Sequence, residues 1–149
     1  MVRRAQAPDL DQMAEMRAML WPDGSVAEHR CEIEKILATG RNGSLPMAIF
    51  VASENDMLAG FLEVGLRSHA DGCDPQRPVG FVEGWFVRED FRGRGIGREL
   101  MRAAEQWSRE HDCREMASDT SIDHLDSQRA HEALGFEVVD RCVNYRKQL

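Results

Sequence analysis

The chain has 149 residues, of which 42% are hydrophobic and 30% are charged, and its formal net charge at pH 7 is −7. That length is enough for one domain with a buried core and too short for two ordinary domains. The acidic balance argues against nucleic acid as the main partner, because binding a phosphate backbone requires a basic surface. It permits a cationic substrate, although solubility alone explains the charge equally well.

Targeting and redox features predict a cytoplasmic protein. The N-terminus MVRRAQAPDL has no apolar run behind its arginines, and no stretch approaches the ~20 apolar residues of a membrane span. The four cysteines are scattered, with no CxxC pair and no histidine at ligand spacing. We therefore expect reduced thiols and no metal site at Cys31, Cys73, Cys113 and Cys142.

The first half of the chain predicts two helices and a hairpin. PDLDQMAEMRAMLW carries apolar residues at helical spacing behind a Pro-Asp start, and its methionines are expected in the core. In SVAEHRCEIEKILATG, Ser25 and Glu28 have the spacing of a capping box, and Gly40 ends the helix. MAIFVAS and LAGFLEVGLR, separated by the polar ENDM, predict a β-hairpin, and SHADGCDPQRP predicts a loop.

The second half alternates strands with helices. VGFVEGWFV predicts a strand, in which Gly84 indicates a bulge or a close backbone approach. Residues 96–111 predict an amphipathic helix, REMAS a short strand, and HLDSQRAHEALG a helix that stops at Gly135. FEVVDRCVNYRK is expected to close the chain as a strand. The order ααβββαβαβ predicts an α+β fold.

The stretch EDFRGRGIGREL places three glycines among three arginines between a predicted strand and a predicted helix. Such a turn leaves backbone N–H groups unpaired at the positive end of a helix dipole, which suits a phosphate or pyrophosphate. It lacks the Lys-Ser/Thr of a P-loop, and its G-x-G-x-G spacing differs from the Rossmann fingerprint. A plain tight turn would not need so many arginines and glycines. The pattern R-x-x-G-x-G is met by Arg92, Gly95 and Gly97.

That pattern after an apolar strand resembles the acetyl-CoA loop of the GNAT superfamily of N-acetyltransferases, whose order of elements also matches. The resemblance implies a GNAT fold in one domain over residues 1–149, with a mixed central sheet, antiparallel N-terminal strands and flanking helices. It also implies acetyl-CoA as the acetyl donor, with its pyrophosphate on the turn and its pantetheine arm along the edge of the preceding strand. The residues implied for acetyl-CoA are Trp85, Phe86, Val87, Arg92, Gly93, Arg94, Gly95, Ile96, Gly97, Arg98 and His124.

Four further pieces resemble the aminoglycoside 6′-N-acetyltransferases within that superfamily. They are LWP at 20–22, FVEGWFV at 81–87, CREMASDTS at 113–121 and SQRAHEALGFE at 127–137, and the ending NYRK also fits. The resemblance implies direct transfer of acetyl to the 6′-amine of an aminoglycoside in a ternary complex. It further implies a role in antibiotic resistance and a homodimer, in which the C-terminal strand would pair across a two-fold axis.

Two carboxylates carry the hypothesis of an amine acceptor. An amine that attacks a thioester must lose a proton, and a polyamine needs carboxylates to hold its ammonium groups. Glu83 precedes Trp85 by two residues, so both side chains are expected on one face of the strand. Asp119 ends the next strand, and if the two strands are neighbours both carboxylates flank one cleft mouth. Asp119 would also serve as an ordinary turn cap.

The resemblance assigns further roles one residue at a time. Trp21 would form an aromatic wall against a sugar ring, and Asp140 would hold another substrate amine. Asp119 would lie near the reacting amine, and its action as general base, like that of Glu83, is a hypothesis. Tyr145 would protonate the departing thiolate, which is also a hypothesis.

One predicted substrate contact differs from that of the relatives, and one histidine is given no catalytic role. Relatives usually carry an aromatic substrate contact in the loop before the F-x-E-G strand. The resemblance implies that His69 and Ala70 occupy this substrate-binding position, without the aromatic contact. His131 is expected to pack its helix rather than to act as a catalyst.

Two rival functions remain open from the sequence. One is a GNAT enzyme for another amine, such as a polyamine, a peptide N-terminus or a protein lysine, and the missing loop aromatic favours it. The other is a CoA-binding domain without turnover, against which Glu83 and Asp119 argue.

Overall fold

In the computed structural model, which describes residues 1–149, a six-stranded sheet is covered by helices on both faces. The strands are β1 (Val2–Arg4), β2 (Arg41–Asn42), β3 (Leu45–Glu54), β4 (Met57–Arg67), β5 (Val79–Val87) and β6 (Met116–Ser118). The helices are α1 (Leu10–Leu20), α2 (Val26–Thr39), α3 (Ile96–Glu110) and α4 (Leu125–Ala133), with single 3-10 turns at Ala7–Asp9 and Glu89–Phe91. No helix is both long enough and apolar enough to cross a bilayer.

The sheet runs in the order β1-β3-β4-β5-β6, and β2 pairs with one end of β3. All pairings are antiparallel except that of β5 with β6, which is parallel. The predicted mixed sheet with antiparallel N-terminal strands is therefore confirmed. Asn55 and Asp56, both at positive φ (49° and 64°), form the predicted turn of the β3–β4 hairpin.

Local capping signals explain where the helices begin and end. The Ser25 hydroxyl accepts from the Glu28 amide at 3.1 Å, and the Glu28 carboxylate accepts from the Ser25 amide at 3.0 Å. This is the predicted capping box, and Gly40 closes the same helix at φ 64°. Gly135 lies at φ 91° beyond α4, as predicted for a helix stop.

Two apolar clusters attach the helices to the sheet. On one face, α1 and α2 bury Met13, Met16 and Ile33 against β3 and β4. The expectation that the methionines lie in the core is confirmed for Met13 and Met16 but is wrong for Met19, which is 57% exposed. On the other face, α3 buries Leu100 and Trp107 in a cluster that includes residues of β3, β4 and β5.

The two ends of the chain differ from the sequence-based expectation. Strand β1 was not predicted, because three residues next to the N-terminus, two of them arginine, carry no readable period. The predicted closing strand is wrong for the isolated chain, since residues 136–149 belong to no strand or helix. A strand requires a neighbour for its backbone groups, and β6, the edge strand, is only three residues long.

A β-bulge in β5 changes which side chains share a face. Glu63 pairs with Gly84 and Val64 pairs with Val82, so Glu83 is the extra residue between two paired positions. The bulge that Gly84 indicated is thus confirmed. The expectation that Glu83 and Trp85 lie on one face is wrong, because one inserted residue reverses the alternation beyond it. Glu83 faces Trp21 across a cavity on the α1–α2 side, whereas Trp85 packs toward α3 and α4.

Candidate active site

The glycine-rich turn presents a run of free backbone amides. The N–H groups of residues 93–98 donate to no carbonyl or side chain of the protein, and the first helical bond of α3 runs from Glu99 to Gly95 at 3.1 Å. Gly93 and Gly95 have φ of 75° and 83°, a region that favours glycine, and a Cβ on either would meet open space. Free amides at a helix N-terminus suit a phosphate-bearing ligand.

The arginines of the turn divide into two kinds. Arg92 donates through Nε to the Val87 carbonyl at 3.0 Å, and Arg94 donates to the Asp90 carbonyl at 2.9 Å. Both therefore brace the turn itself. Arg98 is exposed on the first turn of α3, so its guanidinium can approach an anion.

One edge of β5 is open beyond the point where β6 stops pairing. Strand β6 pairs only with residues 80–82, so Trp85, Phe86 and Val87 have β4 on one side and no strand on the other. The indole of Trp85 lies against Gly97, where an added Cβ would meet it at 3.1 Å, and its Nε1–H is buried without a partner. The open edge leads from the bulge to the turn. It fits an elongated ligand with peptide-like groups and a pyrophosphate.

An acidic, aromatic cavity of about 300 Å³ opens on the α1–α2 face of the sheet, beside the bulge. Trp21 holds one wall, with its ring 6.4 Å from that of Phe61 and the Arg17 guanidinium 4.9 Å from its centroid. Gly84 makes room for this indole, because a Cβ there would come within 2.5 Å of Trp21. The lining residues are Arg17, Trp21, His29, Glu32, Asn42, Met47, Glu63 and Glu83.

Glu83 stands at the cavity margin in a two-pronged ion pair. Arg67 donates to its two carboxylate oxygens at 2.9 and 2.8 Å, while the same guanidinium lies 3.4 Å from the centroid of the Phe81 ring. The Glu83 side chain is 28% exposed. A carboxylate has more lone pairs than one guanidinium occupies, so Glu83 can accept from an ammonium group while Arg67 holds it in place.

Beneath the cavity lies a buried ion pair that sequence reasoning missed. Arg17 Nε is 2.8 Å from a carboxylate oxygen of Glu63, whose side chain is 1% exposed, and Arg17 also donates to Glu32 at 2.9 Å. Burial raises the pKa of Glu63 to about 7, although Arg17 acts to lower it. The available signal was the same as for Glu83: a single acid within an apolar strand.

His29 forms part of the same wall. Its Nε2 lies 3.0 Å from the Trp21 carbonyl, which can only accept, so we assign the proton to Nε2. Nδ1 then has a lone pair, and it is buried with no partner. The contact joins α2 to the residue that ends α1 and fixes the backbone of Trp21.

The remaining predicted site residues are exposed or half-buried. Asp119 is exposed and follows Ser118, the last residue of β6 that pairs with β5, and its proximity to Glu83 stays a prediction. His124 is the exposed N-cap residue of α4. His69 is exposed and Ala70 half-buried in the loop before β5.

Asp140 and Tyr145 lie on the C-terminal segment and do not approach the cavity or the open strand edge through any hydrogen bond. Asp140 accepts only from the amide next to it, and Tyr145 is 93% exposed. The roles of Asp140 and Tyr145 stay predictions.

Comparisons with known protein sequences point to one family of enzymes. Residues 13–136 match the model of the acetyltransferase (GNAT) family. The chain is 37% identical to aminoglycoside N(6′)-acetyltransferase type 1 of Salmonella typhimurium, over 99% of this chain and 98% of that protein. It is 39% identical to the enzyme of the same name from Serratia marcescens, over 95% and 94% of the two chains.

Solved structures of aminoglycoside acetyltransferases superimpose on the chain. AAC(6′)-Iy in complex with the bisubstrate analogue CoA-S-monomethyl-acetylneamine superimposes with a TM-score of 0.88 at 36% identity, covering 100% of this chain and 98% of that one. The apo aminoglycoside 6′-N-acetyltransferase AAC(6′)-IG from Acinetobacter haemolyticus gives 0.87 at 29% identity, covering 100% and 99%. From its sequence, its fold and the glycine-rich turn at its centre, the chain belongs to the GNAT family of acetyltransferases.

Proposed function

We propose that this protein is an aminoglycoside 6′-N-acetyltransferase that uses acetyl-CoA and acts as a single domain over residues 1–149. The observation that carries the proposal is the bulge at Glu83. There the open edge of β5 meets the acidic, aromatic cavity, so a donor on the edge and a cationic acceptor in the cavity would adjoin. Two relatives that cover nearly the whole chain bear that enzyme's name.

Acetyl-CoA, the donor substrate, supplies an acetyl group already activated as a thioester. The free amides of residues 93–98 would hold its pyrophosphate, with Arg98 adding charge. The open edge at Trp85, Phe86 and Val87 would bind the pantetheine arm as an added strand. Backbone amides near Val87 would polarise the acetyl carbonyl.

The acceptor side is built for a cationic sugar. Trp21 offers an aromatic surface for an apolar face of a ring, and Glu83 and Glu32 present carboxylates at the cavity margin. Asp119, which follows the last paired residue of β6, would extend this negative surface. We infer that Glu83 and Asp119 orient the ammonium groups of the acceptor, and that one of them or a water they hold receives its proton.

We also propose that the protein works as a homodimer paired through the C-terminal segment. Apolar residues of this segment are exposed, including Val138, Val139 and Val143 at 55%, 64% and 73%. An apolar run without a sheet partner favours pairing with another chain. Docking on a second copy would give Asp140 and Tyr145 a surface against which to act.

The cytoplasm is the compartment that we propose. All four cysteines are free thiols, which fits a reducing environment. Resistance to aminoglycosides is the expected consequence of the activity in a cell.

The test compares two matched aminoglycosides, one with a 6′-amine and one with a 6′-hydroxyl, by CoA release from acetyl-CoA. We expect turnover with the amine alone, because only the amine carries a nitrogen at that position. Equal turnover on both would leave an acetyltransferase with another regiochemistry. Binding of acetyl-CoA without release from either would show that the acceptor is not an aminoglycoside.

A second candidate is an acetyltransferase for another amine. The observation that favours it is the loop before β5, where His69 and Ala70 supply no aromatic wall. A polyamine, an N-terminal peptide and a lysine peptide belong in the same CoA-release assay. A kcat/KM for any of them above that of the 6′-amine would make this the better assignment.

A further inference from the structure

His131 packs its helix as expected, and it is also hydrogen-bonded at both ring nitrogens. Its Nδ1 lies 2.7 Å from the Ser127 carbonyl one turn earlier in α4, and its Nε2 lies 2.8 Å from the Ser118 hydroxyl. A carbonyl oxygen can only accept, so Nδ1 carries the ring proton in the neutral form. The lone pair of Nε2 then accepts from Ser118, and the Ser118 oxygen keeps its own lone pairs for another donor.

This Ser118–His131 pair lies where β5 and β6 separate. Ser118 is the last residue of β6 and pairs with Val82, and the residues that follow these two are Asp119 and the bulged Glu83. The His131 ring meets the edge of Trp85 at 5.2 Å between centroids. The pair therefore stands beside the bulge on the α3–α4 side of the sheet, so an acceptor held in the cavity on the α1–α2 side would meet Ser118 across the gap between β5 and β6.

The pair is also held more firmly than Asp119 and Tyr145, two other candidates for proton transfer. The half-buried ring of His131 is packed between Trp85 and Phe136, at centroid distances of 5.2 and 5.4 Å. Asp119 and Tyr145 are exposed, and neither side chain makes a hydrogen bond within the chain. A proton-transfer group works best where its position is fixed before the substrates arrive.

We propose that Ser118 and His131 form a proton relay for acetyl transfer, a role that rests on the proposed function. Glu83, Asp119 or a water they hold takes the first proton of the ammonium group, which leaves a neutral amine. As the nitrogen of that amine forms its bond to the acetyl carbon and the carbon–sulfur bond breaks, it loses one further proton to the Ser118 oxygen. Ser118 passes its own proton to Nε2 of His131. The imidazolium returns one proton through Ser118 to the CoA sulfur, which leaves as the thiol. The relay therefore takes one proton from the amine and gives one to the sulfur, with no net change of protons or electrons on Ser118 and His131.

Within this relay Ser118 is the catalytic residue and His131 is a positioning residue that also stores the proton. The test uses the full-length protein with the 6′-amine substrate. Ser118→Ala removes the hydroxyl and Ser118→Thr keeps it, while His131→Gln keeps a polar group near Ser118 but cannot take up a proton. His111 supplies a matched control. Its Nδ1 makes the same bond one turn back in α3, 2.8 Å from the Trp107 carbonyl, and no serine hydroxyl is hydrogen-bonded to its ring.

We expect kcat to fall roughly 100-fold in Ser118→Ala and His131→Gln, the scale of one lost acid–base group. KM for the aminoglycoside and the Kd of acetyl-CoA, measured by calorimetry, should stay within about threefold. Ser118→Thr should recover most of the kcat, and His111→Gln should match the wild type.

A readout independent of turnover is the ¹⁵N spectrum of the imidazole in the wild type. It should show Nδ1 protonated and Nε2 as a hydrogen-bonded acceptor that changes in Ser118→Ala. The proposal is overturned if kcat stays within about threefold in Ser118→Ala or His131→Gln, or if its loss is matched by loss of acetyl-CoA binding. An inactive wild type that still binds acetyl-CoA would instead count against the proposed function.

Discussion

At the scale of single residues, Glu63 makes the stability of the folded protein depend on pH. Its folded pKa of about 7 lies above the ordinary value of 4.5, so the folded protein holds a proton that the unfolded chain would release between these values. The contribution to stability is full below about pH 4.5 and is lost as the pH rises through about 7. Its total is on the order of a few kcal/mol.

We therefore expect the melting temperature of the wild type to fall relative to Glu63→Gln as the pH rises from 5 to 8, measured by calorimetry at fixed ionic strength. Asp9→Asn is the control of opposite sign. The Arg3 hydrogen bond lowers the pKa of Asp9, so the wild type should lose stability relative to this variant as the pH falls below about 3.8. A difference between wild type and Glu63→Gln that does not change with pH would contradict the assignment.

Gly84 gives a second prediction at the same scale. A methyl group there would come within 2.5 Å of the Trp21 ring, so Gly84→Ala should push the indole away from the sheet. We expect KM for the aminoglycoside to rise roughly tenfold, equivalent to ~1.4 kcal/mol. The Kd of acetyl-CoA should be unchanged.

The matched control for this experiment is Gly65→Ala on the neighbouring strand. There an added Cβ finds its nearest atom at 3.7 Å, an ordinary contact. An equal rise of KM in both variants would show that crowding of Trp21 is not the cause.

At the scale of elements, a substitution in the glycine-rich turn can be compared with one elsewhere to distinguish backbone strain from loss of ligand binding. Gly95→Ala places a side chain at φ 83°, and Gly40→Ala does the same at φ 64° beyond α2, with open space around both. Each should cost about 1 kcal/mol of unfolding free energy, because an L-residue is strained in the left-handed region. We expect only Gly95→Ala to weaken acetyl-CoA binding in calorimetry as well. Equal Kd values in the two variants would remove the turn from the donor site.

At the scale of the whole molecule, the C-terminal segment decides the assembly. Leu134 and Phe136 pack on the core, whereas beyond them Val139 lies against Gly72 and most side chains are exposed. Removal of residues 137–149 should therefore leave a folded chain but convert a dimer into a monomer. Light scattering after size exclusion, with circular dichroism as the folding control, measures both. A full-length protein that is monomeric at micromolar concentration would contradict the homodimer.

Sequence reasoning worked where a signal was local. The capping box at Ser25, the stop at Gly40 and the hairpin at Asn55–Asp56 depend on neighbours within a few residues, and each is confirmed. It failed for β1, which becomes a strand only because β3 offers an edge across almost fifty positions of the chain. It failed again at the C-terminal segment, whose strand pattern has no edge to join within one chain.

The sequence by itself determined the glycine-rich turn, the order of the main elements and the family, because turn geometry and periodicity are written in adjacent residues. Only the tertiary structure decided which side chains meet. The bulge moved Glu83 to the face opposite Trp85, buried Glu63 found Arg17 on another element, and His131 found Ser118 across a strand end. These contacts depend on register and packing between distant segments, and a single inserted residue is enough to reverse them.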